Sequence, residues 1–195
     1  MQTHFYADAI RFDGGVGEDI VKGVGSELVG SAGDAAVDME DESSADARIG
    51  AAYDYVRNEI RFGYNADDAL PASRVLADGY GQCNTKSTLL MALLRALMVP
   101  CRLRGFTIDK SLQRGVVPEL VYTIAPNRIL HSWVEARIDD DWVILEGFIL
   151  DEPYLTALQQ AFPDRQSLCA YGVGSDLFRR PRDEWSGEDT FIQST

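Results

Sequence analysis

The most apolar stretch of the chain runs from Cys83 to Met98, and its pattern predicts a helix that is buried on every side. From residue 89 to residue 97 every position except Arg95 is apolar, so apolar surface covers nearly the whole circumference of such a helix. A helix of this kind belongs in the centre of a domain. Its polar residues lie at 84–87, in the first turn, which predicts that the N-terminus of the helix reaches the surface while the remainder is buried.

Two further helices are predicted before this central helix. Pro71 suits the first turn of a short helix over residues 71–78, which Gly79 would end. A longer helix is predicted from about residue 45, with Ser44 as its N-cap. Its apolar residues recur at helical spacing and are Ile49, Ala52, Tyr53, Val56 and Ile60.

Beyond Pro100 the apolar period changes from that of a helix to the alternation of a strand. Four segments follow the strand pattern, and they cover residues 101–108, 119–124, 131–138 and 142–148. A last helix is predicted over residues 152–162. Helices followed by antiparallel strands predict an α+β domain in which the central helix packs on an antiparallel sheet.

The same pattern divides the chain into three regions. Residues 1–47 hold a short predicted strand within 1–22 and an acidic connecting segment rich in Gly, Ser and Ala. Residues 48–150 form the predicted core. Residues 151–195 supply the last helix and an irregular extension, which we expect to pack on the core.

The composition and charge of the chain argue against some classes of function. The chain has 195 residues, enough for one sizeable domain, and a net charge of −13, which argues against binding to nucleic acid. No apolar run reaches the roughly 18 residues that span a bilayer, and the first residues lack the pattern of a signal peptide. We therefore expect a cytoplasmic protein without a membrane partner.

Three cysteines with no Cys-x-x-Cys pair favour neither a disulfide framework nor a cysteine-based zinc site, and we expect no cofactor or metal ion.

Cys83 stands at the start of the central helix, where a thiol can become a nucleophile. The first turn of a helix carries unpaired N–H groups and the positive end of the helix dipole, which favour a thiolate and can also stabilise an oxyanion. Gly79 and Gly81 would let the chain turn tightly and leave the sulfur open to a substrate. A lone cysteine is more often a small core residue, and that interpretation is kept for Cys101 and Cys169.

A base for Cys83 has to be one of two histidines, of which His4 is interpreted as a surface residue. His131 begins the first strand of a predicted hairpin, and the apolar faces of that hairpin predict its register. Pairing Ala136 with Val143 and Val134 with Leu145 buries both apolar faces together. The same register makes His131 the diagonal neighbour of Glu146 on one face, within reach of a long side chain.

These three side chains predict a Cys–His–acid triad made of Cys83, His131 and Glu146. In such a triad the imidazole takes the thiol proton, and the carboxylate fixes the tautomer and stabilises the imidazolium. Taken singly, His131 would be a strand-end histidine bonded to backbone, and Glu146 a solvated residue. A metal site built from the same three residues is a further alternative, but a triad already accounts for all of them.

This pattern resembles the transglutaminase-like superfamily, which shares the papain-like fold, and the chain resembles a small, bacterial-type, single-domain member. The resemblance covers about residues 48–150. Its motifs are a Gly-x-Gly-x-Cys nucleophile, an Arg-x-x-x-x-Pro-x-Arg helix exit, a His-x-Trp strand and a Trp-x-x-x-acid strand. Here they are Gly79, Gly81 and Cys83; Arg95, Pro100 and Arg102; His131 and Trp133; Trp142 and Glu146.

The chain departs from the family pattern at two positions. The third triad member is usually aspartate, so Asp151 is an alternative to Glu146 if the strand bends at Gly147. Met98 stands where the family commonly has glycine, at the exit of the helix. The chain has no room for the calcium-binding and β-sandwich additions of animal transglutaminases, and it lacks the cysteine-pair zinc site of deglycosylating relatives.

The resemblance implies a thiol-dependent acyl enzyme that attacks amide or peptide carbonyls. Cysteine peptidase, amidase and protein-glutamine acyltransferase activities all occur on this fold, with a protein, peptide or other amide as substrate. The backbone N–H of Cys83 would be one oxyanion donor, with Gln82 or Tyr80 as a candidate for the second. The alternative is a catalytically silent binding or scaffold module that keeps the fold.

Overall fold

The structure is a computed structural model, and it describes residues 43–113, 119–161, 163–164 and 185–192. The strand predicted within residues 1–22 lies outside the described residues, as do His4 and Cys169. The division of the chain at residues 47 and 150 stays a prediction.

The described residues form an α+β structure, as the order of helical and strand patterns predicts. Its α-helices are α1 Ser43–Asn58, α2 Ala72–Asp78, α3 Cys83–Ala96, α4 Glu119–Ile124 and α5 Glu152–Ala161. Its strands are β1 Arg61–Phe62, β2 Tyr80–Gly81, β3 Cys101–Asp109, β4 Arg128–Ile138 and β5 Asp141–Leu145. Short 3₁₀ turns cover Lys110–Gln113 and Gly147–Ile149. No helix among these described elements is long and apolar enough to cross a membrane.

Strand β4 lies in the middle of a three-stranded antiparallel sheet with the order β3-β4-β5. Val134 pairs with Leu145 and Ala136 pairs with Val143, which confirms the register predicted from the apolar faces. Burying these side chains against the helices fixes the pairing, because a slip of one residue would turn the whole apolar set outward. The strand ends at Leu145 and not at residue 148, so Glu146 lies just past the end of the sheet ladder.

Helix α3 is the central helix, and its apolar residues up to Leu94 are buried as predicted, whereas Ala96 at its C-terminal end is exposed. Residues 89–94 are each no more than 4% exposed and form the middle of the hydrophobic core. The prediction that the first turn reaches the surface is wrong, because the polar side chains at 84–87 are as buried as the apolar ones. The sequence pattern shows which residues are polar, but it does not show that other segments supply Asn84, Thr85 and Lys86 with hydrogen-bond partners.

Thr85 and Lys86 illustrate how polar groups are satisfied in this first turn. Thr85 Oγ1 accepts a hydrogen bond from the backbone N–H of Gln82 at 3.0 Å and donates to Asn65 Oδ1 at 2.6 Å. Lys86 Nζ donates to the backbone carbonyls of Ile60 at 2.7 Å and Ile149 at 3.1 Å. A buried polar group is tolerated when it is bonded in this way.

The ammonium group of Lys86 also ties distant parts of the chain together. Burial lowers the pKa of Lys86 to about 7, although the charge of Asp151 opposes this effect. The side chain bonds to the end of the α1–β1 connection and to the 3₁₀ turn after β5. The segment that follows Glu146 is therefore held directly against the central helix.

The strand predicted over residues 119–124 is wrong, since this segment forms helix α4. Strands β3 and β4 pair with each other along their full length, from Cys101 with Ala136 to Asp109 with Arg128. The segment between them lies beyond the end of this hairpin, where it does not add to the sheet. Lys110 Nζ donates to the carbonyls of Tyr122 and Ala125, which stabilises the C-terminal end of α4.

Two residues that follow helices, Gly79 and Met98, have left-handed backbone conformations. Gly79 follows α2 with φ of +68°, which confirms its predicted role as the helix stop. Met98 follows α3 with φ of +60°, and its side chain is 83% exposed. A left-handed conformation is unfavourable for a residue with a Cβ atom, which explains why glycine suits this position.

We predict that Met98→Gly stabilises the protein by about 1 kcal/mol, because it relieves the left-handed strain without removing a buried side chain. The free energy of unfolding in urea measures this change.

Gly79→Ala is the matched control for that substitution. No atom lies within 4 Å of the added Cβ, so only the backbone conformation opposes the change. We expect a loss of about 1 kcal/mol, opposite in sign to the gain at residue 98. Equal effects of the two substitutions would contradict this explanation.

Candidate active site

Cys83 is the first residue of helix α3, at the position where the sequence predicts a nucleophile. The preceding Gly81 is required for close packing, since an added Cβ would come within 2.6 Å of Thr85 Oγ1. The prediction that the sulfur is open to a substrate is wrong, because Cys83 is only 3% exposed. The candidate site is therefore recessed.

A hydrogen bond between neighbours of Cys83 and His131 holds these two residues close together. Ser132 Oγ donates to Asn84 Oδ1 at 2.7 Å, and both groups are buried. Asn84 directly follows the cysteine and Ser132 directly follows the histidine, so this bond joins the start of α3 to β4. The same Asn84 oxygen accepts a longer contact of 3.7 Å from the Cys83 thiol.

His131 and Glu146 are in direct contact, in agreement with the predicted diagonal arrangement. His131 Nε2 lies 2.6 Å from Glu146 Oε1, and the two side chains are 1% and 6% exposed. The burial of both residues distinguishes this contact from an ion pair on an exposed sheet face. Asp151, the alternative acid, is bonded elsewhere, because its two oxygens accept from the backbone N–H groups of Phe62 and Tyr154.

The second nitrogen of the imidazole is the one available to Cys83. His131 Nδ1 is buried and makes no hydrogen bond of normal geometry with the described residues. Burial disfavours the imidazolium, but interaction with the Cys83 thiol and with Glu146 outweighs it and raises the pKa of His131 to about 9.

Aromatic rings surround the imidazole on the same face of the sheet. The Phe106 ring lies 5.7 Å from the His131 ring, and the Trp133 ring lies 6.4 Å from it in a stacked arrangement. Phe106 is the direct cross-strand partner of His131. The signal for this neighbour in the sequence is the pairing of the predicted strands 101–108 and 131–138.

Gln82 has a structural role that the sequence did not reveal. Its side-chain oxygen accepts from the backbone N–H of Asn65 at 2.6 Å, and its side-chain nitrogen donates to Asp68. These bonds hold the loop before α2 against the start of α3. The role of Gln82 or Tyr80 as a second oxyanion donor stays a prediction.

The described part of the chain contains no group of three or more His, Cys, Asp and Glu side chains arranged to hold a metal ion. The candidate site combines a buried hydrogen bond between an imidazole and a carboxylate with a thiol at the start of the neighbouring helix. That arrangement can move a proton between sulfur and a reacting group.

Comparisons with known proteins found one matching family and one similar crystal structure. A sequence profile of the transglutaminase-like superfamily matches residues 34–147, which is more than half of the chain. A crystal structure of a "Putative Cysteine Protease" from Cytophaga hutchinsonii is similar with a TM-score of 0.45 and 18% sequence identity. That similarity covers 70% of this chain and 39% of the other, so the chain spans well under half of that protein. No curated protein matches the chain.

We predict that the imidazole of His131 stays protonated up to about pH 9, because Cys83 and Glu146 stabilise its charged form. The folded-state pKa lies above the ordinary value of 6.5, so this stabilisation is complete below about pH 6.5 and is lost as the pH rises through about 9. An NMR titration of the histidine ring signals measures the pKa, with His4→Gln used to assign the second histidine.

Glu146→Gln is the companion variant for this titration. It keeps the size of the side chain but removes the charge, so the pKa of His131 should fall. A pKa for His131 that is below 7 in the unmodified protein, or that is unchanged in Glu146→Gln, would contradict the described contacts.

Proposed function

Because the chain belongs to the transglutaminase-like superfamily, we propose that it is a thiol-dependent enzyme that attacks amide or peptide carbonyls with Cys83. Its helix-on-sheet core is the papain-like fold of this superfamily. In the proposal His131 is the general base and Glu146 is the residue that orients it. A cytoplasmic location, expected from the composition, is part of the proposal.

One observation carries the proposal, and it is the environment of the His131 ring. Nε2 is bonded to a buried carboxylate at 2.6 Å, while the buried Nδ1 is left without a normal hydrogen bond among the described residues. A structural histidine would use both nitrogens, because an unpaired buried polar atom costs free energy. A free Nδ1 next to a thiol supports a role in proton transfer.

The proposed reaction begins with transfer of the Cys83 proton to His131 Nδ1. The sulfur then attacks the carbonyl carbon, and the carbonyl oxygen becomes an oxyanion that the Cys83 backbone N–H at the start of α3 can stabilise. As the C–N bond breaks, the imidazolium gives its proton to the leaving amine, and a thioester to Cys83 remains. The raised pKa of His131 supports this step, since it keeps the proton on the imidazole at neutral pH.

The acyl group leaves Cys83 when a second nucleophile attacks the thioester. Attack by water completes a hydrolysis, and attack by a primary amine completes a transamidation. Product analysis with and without an added primary amine distinguishes the two outcomes.

The alternative function is a binding or scaffold module without turnover. The observation that favours it is the low exposure of Cys83 and His131, at 3% and 1%. The two functions predict different reactivities of Cys83. A thiol-dependent enzyme has one activated cysteine, whereas in a silent module Cys83 should react no faster than the other cysteines.

We predict that Cys83 is alkylated by iodoacetamide at pH 6, where an ordinary thiol reacts slowly. Cys83→Ala should abolish this labelling and any turnover. His131→Asn should slow the labelling by about 100-fold or more, since it removes the general base. Intact-mass spectrometry after exposure to iodoacetamide and to peptide and acyl electrophiles measures the unmodified protein and both variants.

Cys101 provides the matched control in the same protein. Burial raises the pKa of the Cys101 thiol, so it should react slowly at pH 6. Cys101→Ala should therefore leave the labelling unchanged. Equal labelling of Cys83 and Cys101 in the folded protein would rule out the enzymatic proposal and support the silent module.

A further inference from the structure

A segment near the C-terminus, residues 185–192, contacts the proposed triad although it lies beyond the family match, which ends at residue 147. The backbone N–H of Ile192 donates to Glu146 Oε2 at 3.0 Å. Ile192 is 1% exposed and belongs to the hydrophobic core, so this amide is fixed in place. The two oxygens of Glu146 are thus held from two sides, one by His131 and one by Ile192.

Glu146 needs this support because the sheet does not provide it. Strand β5 ends at Leu145, and Glu146 has φ of −114° and ψ of −32°, which is not a strand conformation. Thr190 Oγ1 accepts hydrogen bonds from the backbone N–H groups of Glu146 and Gly147, both at 3.1 Å. The Thr190 backbone carbonyl also accepts from the Glu146 N–H, at 3.2 Å, so Thr190 supplies acceptors for both amides beyond the end of the ladder.

The segment is itself anchored at several points. Leu145 and Thr190 form a parallel bridge, and the Thr190 N–H donates to the Ile144 carbonyl at 2.8 Å. Asp189 Oδ1 accepts from the Ile144 N–H at 2.7 Å. At its other end, the Trp185 ring lies 6.4 Å from the ring of Tyr53 on α1. These contacts tie the segment to both the sheet and a helix.

A glutamate side chain has three torsions, and one hydrogen bond to a histidine leaves it free to rotate. A second bond to the other oxygen restricts the carboxylate to one orientation, and holding groups in a productive geometry is a large part of catalysis. Second-layer hydrogen bonds of this kind determine how well a catalytic group is oriented.

We propose that residues 185–192 act as a positioning segment, in which Thr190 holds the backbone of Glu146 and the Ile192 amide holds its carboxylate against His131. The proposal rests on the proposed function, since it assigns a role to residues that act through Glu146. Thr190 and Ile192 are positioning residues, and they do not contact the reacting atoms.

The sharpest test replaces one backbone N–H group of the segment by an oxygen atom. Cys169 offers a native ligation junction, so residues 169–195 can be made chemically and joined to an expressed fragment of residues 1–168. Replacing the amide at Ile192 by an ester removes the donor to Glu146 and keeps the side chain. The expressed fragment carries isotope-labelled histidine for the NMR titration.

We expect the ester at Ile192 to lower the pKa of His131 by about one pH unit, because the carboxylate is no longer held against the imidazole. The rate of Cys83 alkylation at pH 6 should fall about tenfold or more. The reference is the ligated protein with all amides intact.

Asp189→Ala is the matched control within the same segment. It removes the bond to the Ile144 N–H and leaves both contacts to Glu146, so it should lower stability without changing the pKa of His131. A merely structural role of the segment predicts the same pKa of His131 in the ester protein, in Asp189→Ala and in the all-amide protein.

If the ester protein does not fold, Thr190→Val and Thr190→Ser decide the question. Valine removes the hydroxyl acceptor of both amides and leaves the Glu146 N–H only the backbone carbonyl of residue 190, whereas serine keeps the hydroxyl. Only valine should therefore lower the pKa of His131 and the alkylation rate. An unchanged pKa and rate in Thr190→Val, or in a folded ester protein, would overturn the inference.

The two proposals fail in different ways. If the all-amide protein shows no selective reaction of Cys83, the proposed function fails. If Cys83 reacts selectively and the ester has no effect on either readout, the positioning segment alone is rejected.

Discussion

A buried hydrogen bond of 2.6 Å joins Nε2 of His131 to Oε1 of Glu146, and the geometry of the candidate site follows from it. The bond commits one imidazole nitrogen to the carboxylate and leaves Nδ1 without a normal hydrogen bond among the described residues, as the proposed proton transfer from Cys83 requires. It forms because the β4–β5 register that buries Val134 against Leu145 also brings residue 146 beside residue 131. The same apolar burial that stabilises the sheet therefore aligns the two polar side chains.

The burial of the site also has a cost, which the surrounding hydrogen bonds offset. The first turn of helix α3 carries polar side chains into the core, and each unsatisfied one would destabilise the protein. Asn84 is bonded to Ser132, and Lys86 is bonded to carbonyls on two other segments. These bonds stabilise the start of the helix and hold Cys83 beside β4, so the fold and the site share the same contacts.

Much of this arrangement could be predicted from the sequence, because apolar periodicity reports directly on burial. The central helix, the strand register and the contact of His131 with Glu146 follow from that pattern. The pattern fails where polar groups are buried with partners from distant segments, as at Asn84, Thr85 and Lys86. It also fails for α4, whose residues alternate like a strand although the β3–β4 hairpin does not extend to them. The contacts of Thr190 and Ile192 with Glu146 depend on tertiary structure that no local pattern records.

The most direct test of the account is a crystal structure of the protein with Cys83 acylated by a peptide electrophile. The account predicts that Nδ1 of His131 faces the sulfur within hydrogen-bonding distance, while Nε2 keeps its bond to Glu146. An imidazole that points away from the sulfur, with Glu146 bonded to other groups, would contradict the proposed proton transfer.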